Sequence, residues 1–188
     1  MRAIRALMTE RFGRIVRRGR DSGQALVEMA MVLPLLLLIL TGILQFGVLL
    51  SGQIALVNGV REAARYGSVL QTASAPAATA AGAQVGAQLE SVLLGGMPGY
   101  QAARLTTWSV CYQSYSNPGS SPASYSVRLT VSATYNHALF VPIVAQILDP
   151  IDGTFNGGFI LHASEQFRVE NPPLPTNVMS SPTCVNKP

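Results

Sequence analysis

The chain has 188 residues and a formal net charge of +4, with 48% hydrophobic and only 12% charged residues. A globular domain usually has about 25% charged residues, so this composition argues against an ordinary cytosolic enzyme and against a disordered chain. The positive charge is confined to residues 1–23, which hold seven arginines and two acids, whereas residues 24–188 hold six basic and seven acidic residues. This distribution excludes a basic nucleic-acid-binding body, and we expect no nucleic-acid partner.

An uncharged apolar run of 22 residues, Met29–Leu50, follows the basic leader. As a helix rising about 1.5 Å per residue it is roughly 33 Å long, which matches a hydrocarbon core of about 30 Å. The run is too long for the core of a secretory signal, and no suitable pair of small residues follows it as a cleavage site. We therefore predict a single-pass transmembrane helix. The arginines before it place the N-terminus in the cytoplasm and the remainder of the chain outside.

The hexapeptide GQALVE at residues 23–28 stands between the basic leader and the apolar run. A glycine followed five positions later by a glutamate, in this context, resembles the processing site of type IV prepilins. The longer stretch over about residues 20–70, with REAARYGSV at Arg61–Val69, resembles the TadE-like family. These proteins are minor pseudopilins of tight-adherence (Flp-type) pilus systems. Met29 stands where the family often has phenylalanine.

The resemblance implies that a prepilin peptidase cuts after Gly23 and leaves Gln24 as the first residue of the mature chain. It implies a minor pseudopilin function in pilus assembly, secretion, adhesion and biofilm formation. The implied partners are the lipid bilayer, other pilin or pseudopilin subunits and the pilus assembly platform. The implied location is the bacterial cytoplasmic membrane, with the pilus itself as a second destination. On chemical grounds, the new amino group of Gln24 could neutralise Glu28, because a carboxylate is costly to bury in a membrane without a partner. The alternative is that Glu28 lies at the headgroup level near the start of the helix and has no special role.

Small residues recur at every fourth position along the predicted helix, a pattern that lets another helix approach closely. The row consists of Gly47, Ser51, Ala55, Gly59, Ala63 and Gly67. A helix-packing surface is one interpretation, and chance repetition in an Ala/Gly-rich chain is the other. We expect the helix to continue beyond the membrane to about Val69, because apolar residues repeat there at helical spacing.

The translocated part is predicted to be a small α+β domain with an antiparallel, pilin-like β-sheet. The sequence indicates a helix over 85–94, paired strands over 104–112 and 125–135, a short helix or loop over 138–148, and a third strand over 159–169. The predicted organisation is a leader (1–23), a long helix (24–70) with its membrane span at about 29–50, an extracytoplasmic head (71–170) and a proline-rich, extended tail (171–188).

The two cysteines, Cys111 and Cys184, lie in the predicted translocated part. An even cysteine count in that environment favours a disulfide bond, and two free thiols are the alternative. Such a bond would tie the proline-rich tail to a predicted strand and stabilise a small domain.

Residues able to carry out catalysis or bind metal are few. His137 and His162 lie in strand-like segments, without a neighbouring cluster at metal-ligand spacing. No GxSxG nucleophile motif is present. We therefore predict no enzyme activity, no metal and no cofactor. Two alternatives to a pseudopilin remain open: an unprocessed, permanently anchored envelope or binding protein and, less favoured, a membrane-tethered hydrolase.

Overall fold

The computed structural model describes residues 23–70, 72, 74–116, 119, 125–153, 157–170 and 181–187, and for residues 2–22, 149 and 152 the backbone only. The helices are α1 (Arg2–Ser68), α2 (Ala75–Gly96) and α3 (Pro142–Asp152), with a 3₁₀ turn at Ala102–Arg104. The strands are β1 (Leu105–Ser116), β2 (Tyr125–Ala138), β3 (Gly158–Arg168) and β4 (Thr183–Asn186). This arrangement confirms the predicted α+β class, with a long N-terminal apolar helix followed by an antiparallel sheet and helices.

The chain divides into two compact units, Met1–Leu44 and Gln45–Pro188, here called the N-terminal and C-terminal units. The N-terminal unit contains the first part of α1. The C-terminal unit contains the end of α1 together with the other helices and the sheet. The sequence places a boundary near residue 71, at the end of the long helix, but the C-terminal unit begins at Gln45. The last part of α1 is therefore part of the folded domain.

The sheet has four antiparallel strands in the order β3-β2-β1-β4. The central strand pair places Val110 opposite Val131, and β4 places Val185 on the other side of Val110. β4 lies within the proline-rich tail, which the sequence predicts to be extended and tied down only by a disulfide bond, so the pairing of β4 with β1 adds to that expectation. Residues 171–180 of that tail lie outside the described part of the chain.

One face of the sheet is buried, as the period-2 pattern of its strands predicts. On β2 every second side chain from Val127 to His137 is buried, and on β1 Trp108, Val110 and Tyr112 are buried. Cys111 lies between two of these buried residues and therefore faces the opposite side of the sheet. The sheet thus has a helix-covered face and an open face.

The buried face is covered by α1 and α2. Helix α2 is capped by Ser74, whose hydroxyl accepts a hydrogen bond from the Ala77 N–H at 3.4 Å. Its buried residues repeat at helical spacing. They are Ala78, Ala81, Gly82, Val85, Gly86, Leu89 and Leu93.

The two covering helices are antiparallel, as their contacts show. Gly59 of α1 lies against Leu89 and Leu93, whereas Gly67, two turns later, lies against Val85. On its other side α2 lies on β1 and β4, where Gly86 contacts the ring of Trp108. The core is therefore a two-layer sandwich of helices on a sheet.

Tyr112 connects the sheet to the end of α1. Its side chain is fully buried, and its hydroxyl donates a hydrogen bond to the carbonyl oxygen of Gly67 at 3.1 Å. Burial of the hydroxyl raises the pKa of Tyr112 from its ordinary value of 10.0 to about 12, with a smaller contribution from Tyr66. The backbone carbonyl oxygen of Ser68, which has no partner within the helix, accepts a hydrogen bond from the N–H of Glu170 at 2.9 Å. This bond also fixes the end of α1.

The raised pKa of Tyr112 predicts a loss of stability at alkaline pH. The unfolded chain releases this proton near pH 10.0 and the folded chain near 12, so the stabilising effect is complete below pH 10.0 and is lost as the pH rises through that window. Tyr112→Phe should lower the free energy of unfolding by about 0.5–1.5 kcal/mol at neutral pH and reduce the alkaline loss. Denaturant titrations across the window test this prediction. An equal alkaline loss in the variant would contradict it.

Candidate processing site and helix-packing residues

The predicted processing residues lie together on an exposed part of α1. Gly23, Gln24 and Glu28 are all exposed, and nothing lies within 4 Å of the position that a Cβ atom on Gly23 would take. The side-chain Nε2 of Gln24 donates a hydrogen bond to Oε1 of Glu28 at 3.1 Å. Residues four apart face each other on a helix, so Gln24 and Glu28 share one face. The side chains on the C-terminal side of the Gly23–Gln24 bond, from Gln24 to Glu28, are therefore exposed.

The apolar segment that follows is also exposed. Among the described residues, one helical stretch, Gly23–Ser68, is long and apolar enough to cross a membrane, with a mean hydropathy of 2.4 in its best window. Its side chains between Leu26 and Leu44 are mostly exposed on every side of the helix, including Leu35 at 61% and Ile43 at 64%. A helix that is apolar all round needs lipid or other helices around it. These properties indicate membrane anchoring.

Two residues near the end of the predicted span have a different environment. Gln45 is fully buried and Leu49 is 7% exposed, both inside the C-terminal unit. The Oε1 atom of Gln45 accepts hydrogen bonds from the backbone N–H groups of Phe140 and Val141, at 3.0 and 3.1 Å. Gln45 was not identified as a functional residue from the sequence. Its only signal is a lone amide within a long apolar run.

The row of small residues divides into two groups. Gly59, Ala63 and Gly67 are buried within the C-terminal unit, whereas Gly47 and Ser51 are exposed and Ala55 is half-buried. A Cβ atom on Gly59 would lie 2.8 Å from Cδ2 of Leu93, and one on Gly67 would lie 2.6 Å from Cδ2 of Leu129. Gly59, Ala63 and Gly67 therefore permit close packing of α1 within the same chain. For Gly47, Ser51 and Ala55, packing against another molecule stays a prediction.

Cys111 and Cys184 form a disulfide bond between β1 and β4. The two residues are directly opposite each other in the strand register, with their Cα atoms 4.1 Å apart. Cys184 is exposed and Cys111 is half-buried, so the bond lies on the open face of the sheet. It attaches the tail to the central part of the C-terminal unit.

The two histidines have structural surroundings. His137 is 6% exposed and its ring packs edge-on against Tyr135 and close to Gly52 of α1. His162 has its Nδ1 atom 3.0 Å from the hydroxyl of Thr134 on the neighbouring strand. Within the described residues, no group of three or more His, Cys, Asp or Glu side chains could hold a metal ion.

An ion pair and a hydrogen bond connect α1 to β3. Arg61 and Glu165 approach to 2.9 Å, and Gln53 Nε2 donates to the carbonyl oxygen of His162 at 2.9 Å. The Arg61 side chain is 56% exposed, and ion pairs of this kind contribute at most about 1 kcal/mol. These contacts orient α1 on the sheet, and we assign them a structural role.

Comparison with known proteins places the family signal on α1. The family model described as TadE-like protein matches residues 23–65, which include the exposed glycine–glutamate motif and the apolar segment. No curated protein and no solved structure shows a significant match to the chain. The TadE-like family is a pilus-associated structural family and is not known for enzymatic activity. The predicted resemblance to the TadE-like family is therefore confirmed over residues 23–65.

Proposed function

We propose that the protein is a minor pseudopilin of a tight-adherence pilus system, cut by a prepilin peptidase after Gly23. The observation that carries this proposal is the TadE-like match over residues 23–65, in which an exposed glycine–glutamate motif precedes an exposed apolar helix. The proposed partners are the peptidase, other pilin or pseudopilin subunits and the assembly platform. The chemistry is done on this protein rather than by it.

The proposed topology follows from the leader charges. Seven arginines precede the apolar segment, whereas only Arg61 and Arg65 follow within about 20 residues of its end. This asymmetry favours a cytoplasmic N-terminus and an extracytoplasmic C-terminal unit, in the bacterial cytoplasmic membrane. The peptidase then acts on the cytoplasmic side, where the exposed Gly23–Gln24 bond lies.

Cleavage changes the electrostatics at the start of the helix. The new α-amino group of Gln24 is protonated at neutral pH and stands four residues before Glu28. The present contact of 3.1 Å between the two side chains shows that these positions face each other. A protonated amine there neutralises Glu28 of the same chain or of a neighbouring subunit. Pairing lowers the cost of moving this carboxylate into an apolar bundle of helices.

Helix packing supplies the assembly step of the proposal. The apolar side chains before Gln45 are covered by lipid while the subunit is stored and by other pilin helices when it is incorporated. Gly47 and Ser51 are exposed small residues next to this segment, and they allow a neighbouring helix to approach closely. The buried small residues Gly59, Ala63 and Gly67 let the end of α1 pack closely inside the C-terminal unit.

Gly23→Leu tests the processing step. A bulky side chain at the cut is expected to abolish cleavage, so the protein retains Met1–Gly23 even when the peptidase is active. Gly42→Leu is the matched control, because Gly42 is a glycine of the same helix with nothing within 4 Å of a Cβ atom at its position, and it should be processed normally. Immunoblotting of membranes from strains with and without the peptidase measures the difference in size.

A pilus assay distinguishes this function from that of a permanently anchored envelope protein. In a strain that lacks the gene, the Gly23→Leu chain should fail to restore surface pili, and Gly42→Leu should restore them. Normal piliation with a fully unprocessed chain would contradict the proposal and favour the anchored alternative.

A further inference from the structure

Helix α3 has an apolar face that is exposed among the described residues of the chain. Ile143, Ile147 and Ile151 recur at four-residue spacing and are 57%, 60% and 69% exposed. Phe140, directly before the helix, is 56% exposed. Val144 and Leu148 of the same helix are buried, each 7% exposed. The helix therefore has one broad apolar surface, of which one side is buried and the adjoining side is exposed.

The start of α3 is fixed to α1 at a defined point. The buried Gln45 side chain accepts the N–H groups of Phe140 and Val141, and Val141 is the residue that caps α3. Gln45 lies within the apolar run Met29–Leu50, five residues before its end, so α3 is attached to α1 inside that run. Gln45 thus pairs the two backbone N–H groups that directly precede α3, which lowers the cost of placing this part of the chain where water is excluded.

The exposed apolar surface continues along α1 beyond Gln45. Phe46, Leu50 and Ile54 have the same four-residue spacing and are 48%, 60% and 62% exposed. The next position in this series is Asn58, and the charged residues Arg61, Glu62 and Arg65 follow. The apolar stripe on α1 thus ends about two turns after the level at which α3 is attached.

We propose that the exposed face of α3 inserts into the membrane surface, as a second lipid contact of the C-terminal unit. The occupant is the boundary between lipid headgroups and acyl chains, into which the apolar face of an interfacial helix sinks by about 5–10 Å. This inference rests on the proposed membrane anchoring of α1. Its consequence is that incorporation into a pilus requires α3 to leave the lipid as well as α1.

The charge of α3 indicates which lipids it contacts. Its sequence, PIVAQILDPID, has no lysine or arginine and contains two aspartates. Attraction to anionic headgroups therefore does not contribute, unlike in basic interfacial helices. We expect α3 to insert into neutral, zwitterionic bilayers, and the insertion to be insensitive to salt because it depends on apolar burial.

Tryptophan substitution provides a depth measurement on the full chain. Ile147→Trp is reconstituted into phosphatidylcholine vesicles whose acyl chains carry bromine atoms near the headgroup end, and its quenching is compared with that of the unsubstituted chain. Leu94→Trp is the matched control, because Leu94 is 72% exposed but follows Leu93, which contacts Gly59. Gly59 lies about 21 Å further along α1 than Gln45, so Leu94 lies far from the level at which α3 is attached. Ile143→Trp is a second test on the same face.

The expected result is severalfold stronger quenching of Ile147→Trp and Ile143→Trp than of Leu94→Trp, unchanged at high salt. Equal quenching at all three positions would overturn the inference while leaving the anchoring of α1 intact. A blue-shifted Ile147→Trp emission without bromine quenching would also overturn it, because the face would then lie against protein. Failure of the chain to remain with the vesicles would contradict the anchoring itself.

Discussion

Replacing Cys111 and Cys184 together by alanine is expected to lower the free energy of unfolding of the C-terminal unit by about 4 kcal/mol. The bond joins residues separated by 73 positions, and closing a loop of that length strongly restricts the unfolded chain. β4 has four residues and lies at the edge of the sheet, where it pairs with β1 and contacts α2. Guanidinium titration of the detergent-solubilised chain, followed by the fluorescence of Trp108, the single tryptophan of the sequence, measures the loss.

Reduction of the unsubstituted protein provides an independent check. A thiol reductant should lower the stability of the native chain by a similar amount and leave the double-alanine variant unaffected. If the variant loses less than about 1 kcal/mol, the bond is not the main attachment of the tail.

Gly86→Ala is expected to lower the free energy of unfolding by about 1–3 kcal/mol, the usual cost of overpacking a core. A methyl group on Gly86 would overlap the ring of Trp108. The indole has little room to move, since it is 6% exposed and its Nε1 donates a hydrogen bond to Glu90 at 2.9 Å. The emission of Trp108 should shift as well, because its surroundings change directly.

The matched control is Gly95→Ala, in the same helix. Nothing lies within 4 Å of a Cβ atom at Gly95, and alanine is the better helix former, so this variant should be unchanged or more stable by up to about 1 kcal/mol. The test is whether the two substitutions change the free energy of unfolding in opposite directions. Stabilisation by Gly86→Ala would show that α2 does not pack on Trp108 as described.

Local patterns in the sequence were sufficient to predict the main elements of the fold. Alternation of apolar residues predicts β2, and the structure extends it to Ala138. Helix α2 begins ten residues earlier than the helical pattern at Val85 suggests, because Ser74 caps an alanine-rich first half with little apolar periodicity. β4 could not be predicted from its own four residues, because its position depends on pairing with β1 and on the disulfide bond.

The candidate site shows the same division between local and long-range information. The glycine–glutamate motif is local, so the sequence predicts it and the family match includes it. For the small residues Gly59 and Gly67, the sequence left open helix packing or chance repetition, and their contacts with α2 depend on the fold of residues 18 or more positions away. The pairing of Gln45 with Phe140 spans 95 positions and has no local signature.

The N-terminal residue of the protein isolated from membranes of pilus-forming cells tests the central claim most directly. Intact-mass and N-terminal peptide analysis should find chains that begin at Gln24 when the prepilin peptidase is active, and chains that retain the leader when the peptidase gene is deleted. Chains that keep Met1–Gly23 in the presence of the active peptidase would contradict the proposed processing and, with it, the pseudopilin function.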